Sequence, residues 1–225
     1  MNGVNVLADY LGKVVNIEVS GNLNFIGYLI DFGPDIVVIN NGREYVYLPT
    51  QHIHAVKQVD EEWIEDEPDE TNSTIPIENG SIDLRKILEN ARGRFIECYI
   101  TGNHALHGYI TQLMDDYFVF YSPVYHTVFI STYHLKYFIP YYPGTTPYGV
   151  DKAYLSIESN PINFAPTFEE LFKTIEGRFI VMDLGGNPNK TGFFKGISKG
   201  VIKLATANGE IYHWNIKHIK TVHLP

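Results

Sequence analysis

A chain of 225 residues with 26 Asp and Glu against 17 Lys and Arg carries a formal charge of −9, and where that charge lies matters more than its sum. One cysteine, Cys98, excludes an intrachain disulfide framework. The apolar runs are of strand length, far below the roughly 20 residues of a helical membrane span, and the first residues lack the basic-then-apolar order of a secretory leader. The expected location is therefore cytoplasmic with no membrane partner, and the glycosylation-type triplets at Asn72 and Asn189 read as accidental.

In chain order, Val6, Leu7, Tyr10 and Leu11 predict a short helix that ends at Gly12. Val15, Ile17 and Val19 then alternate at period two, the mark of a half-buried strand, and after Gly27 the run Ile36 to Ile39 predicts another. The segment closes on His52-Ile53 with Val56 four residues past the histidine. Residues 60–80 follow, with nine carboxylates and no Lys or Arg, and predict a flexible acidic linker whose early apolar residues are Trp63 and Ile64.

The same order then returns twice. Leu84, Ile87, Leu88 and Ala91 predict a helix before Gly93, followed by Ile96, Cys98 and Ile100, Gly108, the run Tyr117 to Tyr121, and His134-Leu135 with Phe138. A connection over residues 143–164, rich in Pro, Gly and Tyr, is expected to lie against folded structure. Thr167 with Glu170 has the spacing of a capping box, and Phe168, Leu171, Phe172 and Ile175 predict a helix before Gly177. Ile180, Met182 and Leu184 alternate next, Gly185 to Asn189 reads as a hairpin tip, and Gly192, the run Val201 to Leu204 and His218-Ile219 with Val222 complete the third copy.

Each copy holds two glycines fifteen residues apart: Gly12 and Gly27, Gly93 and Gly108, Gly177 and Gly192. This is an internal repeat, and it predicts an all-β protein with short helices, in which repeats 1–59, 81–142 and 165–225 each have about five strands after a helix. Charge divides along the same lines. Residues 60–80 contribute −9, residues 1–59 give −2, residues 81–144 give 0, residues 145–164 give −1, and residues 165–225 give +3. The third repeat is the basic one.

No catalytic constellation is present. The chain lacks a phosphate-loop motif, His-Glu-x-x-His, paired CxxC and a Gly-x-Ser-x-Gly elbow, so no enzyme activity, cofactor or metal is expected. Cys98, at an inward strand position, reads as an inert small hydrophobe. Asp31, Asp115 and Asp116 fall at turns between strands and read as hairpin residues. The repeat-equivalent histidines His52, His134 and His218 admit a structural role at the turn before the last strand, contact with a nucleic acid, or a shared metal, with the structural role as the default. Tyr121, Tyr125, Tyr133, Tyr137 and Tyr142 make the second repeat tyrosine-rich, either as strand packing or as an assembly surface.

The order helix, Gly-Lys-Val-Val-Asn-Ile, the run Gly27 to Ile39, and a last strand through His52-Ile53 resembles the Sm and Sm-like fold, with Hfq its bacterial branch. The resemblance implies three tandem five-stranded open barrels. The family's Lys-His pair is matched by Lys217-His218, whereas Gln51-His52 and Tyr133-His134 lack the lysine. The chain is also similar to Bacillus spore-coat proteins of the coat protein B type, which implies a structural role at the spore coat.

Open barrels of this size leave edge strands that something must cover. The reading that follows is a non-catalytic scaffold that binds protein partners or itself through barrel edges. The alternative implied by the Sm-like resemblance is RNA binding through the third repeat, using Lys217, His218 and Lys220 with Tyr212 and Trp214 as stacking partners.

Overall fold

The structure is a computed structural model, and it describes residues 7–64, 74–75, 81–101, 104–142, 145, 147–150, 155 and 164–225. Among the described residues the protein is mostly β, with short α-helices at Leu84–Asn90 and Phe168–Thr174, and the strand pairings are antiparallel. Contacts divide it into two compact units, one of residues 1–99 with 135–147 and one of residues 100–134 with 148–225.

In the first unit, strands β1 (Val14–Val19), β2 (Leu23–Phe32), β3 (Ile36–Asn40), β4 (Tyr45–Pro49) and β5 (Ile53–Gln58) form the ladder β5-β1-β2-β3-β4. Val15, Ile17, Val19, Leu29, Val37, Ile39, Val46 and Leu48 face one another as its core. Helix α1 (Leu84–Asn90) starts at Asp83, whose carboxylate accepts the Lys86 N–H, and buries Leu84, Ile87 and Leu88. Ahead of β1, Leu7 is helical and a 3-10 turn follows over Ala8–Tyr10; the start of the helix predicted before Gly12 lies outside the described residues. Strand β6 (Phe95–Thr101) and β10 (Tyr137–Pro140) complete the unit's sheet, with β10 paired to β6 on one side and to β4 on the other.

In the second unit, β7 (His104–Leu113), β8 (Tyr117–Ser122) and β9 (His126–Ser131) run in sequence order. Helix α2 (Phe168–Thr174) follows, its Thr167 hydroxyl accepting the Glu170 N–H as the capping-box spacing predicts. Strands β11 (Phe179–Met182), β12 (Thr191–Ser198), β13 (Val201–Ala205), β14 (Ile211–Asn215) and β15 (Thr221–His223) form the ladder β15-β11-β12-β13-β14. This is the order found in the first repeat. Phe168, Leu171 and Phe172 of α2 pack with Ile180, Met182, Phe194, Ile202, Leu204 and Val222, and with Tyr117, Val119 and Phe129 of the preceding repeat.

The two glycines of each repeat have different physical reasons. Gly12, Gly93 and Gly177 sit at φ of +74°, +73° and +77°, the left-handed conformation that ends a helical turn. Gly27, Gly108 and Gly192 lie where strands cross closely. A Cβ there would stand 2.5 Å from the Asn40 carbonyl oxygen, 1.9 Å from that of Tyr121 and 2.1 Å from that of Ala205. Two residues past each second glycine the register shifts, between Leu29 and Asp31, Ile110 and Gln112, and Phe194 and Gly196. A bulge at one repeat position bends the long second strand each time.

The connections are partly outside this description. Residues 65–73 and 76–80 of the acidic linker, and 143–144, 146, 151–154 and 156–163 of the second connection, lie outside the described residues. Within the linker, however, Ile75 is buried and its N–H donates to the Tyr47 hydroxyl at 2.8 Å, while the Thr74 carbonyl accepts from Arg94. Ile75 is therefore docked, with its side chain buried and its backbone N–H bonded. Trp63, by contrast, is exposed after a 3-10 turn over Glu61–Trp63.

Candidate functional site

The covering of sheet edges is the feature with functional content. Two pairings join consecutive repeats, one in each unit. In the first unit the last strand of the second repeat, β10, lies against the fourth strand of the first, with Phe138 opposite Tyr47. In the second unit the last strand of the third repeat, β15, lies against the fourth strand of the second, with Thr221 opposite Ile130, Val222 opposite Phe129 and His223 opposite Val128. Counted from the repeat histidine, Phe138 and Val222 are four residues after it, and Tyr47 and Phe129 five residues before it. The two seams therefore share one register.

Covering decides burial. All five residues of β4 are buried, as are the last four of β9 and all three of β15. The Tyr47 and Phe138 rings stack at 4.9 Å, contributing about 1 kcal/mol beyond area burial. Burial pushes the Tyr47 hydroxyl up to about 12, so it stays neutral at its contact with Ile75. Among the described residues β5 pairs only with β1 and β14 only with β13. Their residues are exposed or half-buried throughout.

Each seam is also tied by a hairpin carboxylate. Asp35, before β3, accepts the N–H of Leu84, the first residue of α1, at 2.8 Å. Asp116, before β8, accepts the N–H of Phe168, the first residue of α2, at 2.7 Å. These are orphan donors of a helix N-terminus. At the matching place before β13 stands Gly200. Asp31, also read as a hairpin residue, instead lies in β2 and accepts the adjacent Phe32 N–H.

The candidate RNA-binding residues of the third repeat fall into two groups. Lys217 and His218 are exposed on the 3-10 turn Ile216–His218. Tyr212 and Trp214 lie on one face of β14 with rings stacked at 5.9 Å, but the Lys190 ammonium sits 4.9 Å from the Trp214 ring centre. That ammonium also pairs with Asp183, and both side chains are nearly buried. Asp183 further accepts the backbone N–H groups of Lys220 (2.7 Å) and Thr221 (3.2 Å), which locks the start of β15. Trp214 is thus part of a packed polar cluster and not an open stacking platform. Asp183 and Lys190 carried no sequence signal: each is an isolated charge in a loop, and only folding brings them together.

The three histidines each end a 3-10 turn, over Thr50–His52, Thr132–His134 and Ile216–His218. His52 Nδ1 lies 3.3 Å from the Ser20 hydroxyl, and His134 Nε2 lies 2.9 Å from the Lys217 carbonyl. Burial holds His134 below the ordinary histidine pKa of 6.5. His218 is exposed. Among the described residues no three His, Cys, Asp or Glu side chains gather as metal ligands would.

The tyrosines do not form one surface. Tyr121 is buried, and Tyr137 stacks on Tyr99 at 4.9 Å and meets Phe25 edge-on. Tyr125 is half-buried beside His223 at 5.9 Å. Tyr133 and Tyr142 are exposed, the latter donating its hydroxyl to the Arg43 carbonyl. Cys98 is fully buried, and burial pushes its thiol well above the usual range, which leaves no reactive thiolate.

Comparison with known proteins adds a family. Residues 167–222 match the family described as YwrJ third domain. Over 228 aligned positions covering all of both chains, the sequence is 38% identical to a protein of Bacillus subtilis (strain 168) named uncharacterized protein YwrJ.

Proposed function

The chain belongs to the YwrJ family, and from that premise we propose that it is a non-catalytic scaffold that binds protein partners through the sheet edges β5 and β14. The carrying observation is the repeated seam. The same two edges meet twice in one register within the chain, and one of each kind is left over. The common ladder of the first and third repeats, with its shared bulge, supports reading the repeats as Sm-like open barrels. A place in the spore coat is the setting that the coat protein B resemblance implies, and a Bacillus relative is compatible with it.

RNA binding is the reading this one competes with, and the Trp214 face filled by Lys190 weighs against it. Titration with a uridine-rich oligonucleotide at physiological salt separates the two. Weak or undetectable binding is expected. Tight binding that falls steeply with salt and disappears in the Lys217→Ala, His218→Ala double variant would overturn the scaffold reading.

A further inference from the structure

Three exposed large apolar side chains, Phe179 (64%), Val201 (41%) and Ile211 (41%), share one face of the third repeat. Phe179 lies opposite Phe193, Phe193 opposite Ala205 and Ala205 opposite Ile211, so these four form one row across β11, β12, β13 and β14. The Phe179 and Phe193 rings meet edge-on at 5.4 Å. Beside the row Lys203 lies opposite His213, and Lys195 is exposed on β12. Strands β11 to β14 contain no Asp or Glu. Glu210 accepts the Tyr212 hydroxyl on the opposite face, with Trp214, and Glu176 lies beside Gly196.

The other two repeats cover this face. By register, Val201 and Lys203 are the counterparts of Ile36 and Val38, and of Tyr117 and Val119. Those four are buried, and Tyr117 and Val119 pack with Phe168, Leu171 and Phe172 of the helix that opens the next repeat. The third face differs in chemistry. Lysine stands in place of valine, and Gly200 in place of the carboxylates Asp35 and Asp116 that hold a helix start. A purely apolar cover would bury the Lys203 ammonium without a partner. The occupant this face fits brings an apolar side chain to the Phe179 row and carboxylates to the lysines.

The chain itself carries such a segment. Trp63 is 66% exposed at the end of the 3-10 turn Glu61–Trp63, directly after Asp60, Glu61 and Glu62 and before Ile64. We propose that the Asp60–Ile64 turn of one copy docks on the outer face of β11–β14 of a second copy, with Trp63 against Phe179 and Phe193 and the three carboxylates toward Lys195 and Lys203. The contact uses side chains of a sheet face and no backbone edge, so it goes beyond the pairing of β5 and β14. It joins unlike surfaces and therefore links copies head-to-tail. Its small area makes it weak, and its exposed charges make it sensitive to salt.

The test uses the full chain at low salt and rising micromolar concentration. Light-scattering mass is expected to climb to two or more chains and to return toward one at high salt. Trp63→Ala, and separately Lys195→Glu with Lys203→Glu, should each hold the mass at one chain. These side chains are exposed, so the thermal midpoint should stay at the parent value. Glu61→Lys with Glu62→Lys should also be a single chain alone. Mixed with the Lys195→Glu, Lys203→Glu variant, it should recover a two-chain mass, because the exchanged charges match again. A single-chain mass for the parent at every concentration, association that survives Trp63→Ala, or a mixture that stays at one chain overturns the proposal. Loss of uridine-rich oligonucleotide binding in the Lys195→Glu, Lys203→Glu variant, with its mass unchanged from the parent, would assign the face to nucleic acid instead. Both backbone edges remain in every variant, so failure here leaves the edge reading standing, and association through edges alone would persist in Trp63→Ala.

Discussion

The carboxylate of Asp116 holds the backbone N–H of Phe168, 52 residues on, at 2.7 Å. A turn in one repeat thereby completes the helix that opens the next. Asp35 does the same for Leu84.

Removing either carboxylate leaves an orphan donor at a helix start. Asp35→Ala and Asp116→Ala should each cost about 1–2 kcal/mol in chemical denaturation. Gly200→Ala makes a poor control because that glycine has φ of +73°, so Asp31→Ala serves better and should cost less. Equal losses at Asp31 and Asp116 would show that the helix contacts add nothing.

Alanine at Gly27, Gly108 or Gly192 brings a Cβ against a backbone oxygen at 2.5 Å or less. Because the obstacle is backbone, the strands must separate, and each substitution should destabilise by about 1–3 kcal/mol or more. Gly108→Ala, with the closest approach at 1.9 Å, should be the worst of the three. Urea midpoints for the three variants check both the loss and the ranking.

Acid should weaken the second unit. Burial lowers the pKa of both His134 and His223 below 6.5, and His223 Nδ1 has no hydrogen-bond partner among the described residues. The folded state therefore binds fewer protons than the unfolded state once pH drops through about 6.5, and stability falls with pH until the depressed folded values are reached. Above that window both rings are neutral in both states and contribute no slope. His223→Phe, which cannot titrate, should flatten the decline in thermal midpoint between pH 7 and pH 5. A decline identical to that of the parent protein would assign the effect to other groups.

Local chemistry made much of this molecule legible from its residues alone. The repeat, the strand alternation, the glycines that end helical turns and the Thr167 cap depend on neighbours within a few positions, where spacing alone carries the information. The inert reading of Cys98 followed from its place in an alternating strand. What the tertiary structure alone decided is which edge lies beside which. Phe138 against Tyr47, Val222 against Phe129, Asp183 with Lys190, and Asp116 with Phe168 join residues from 7 to 93 positions apart. Such pairings depend on the packing of whole strands, and no short pattern in either partner records them. Burial likewise separated tyrosines that composition treats alike: Tyr121 and Tyr137 pack against neighbours, while Tyr133, on the 3-10 turn Thr132–His134, is exposed.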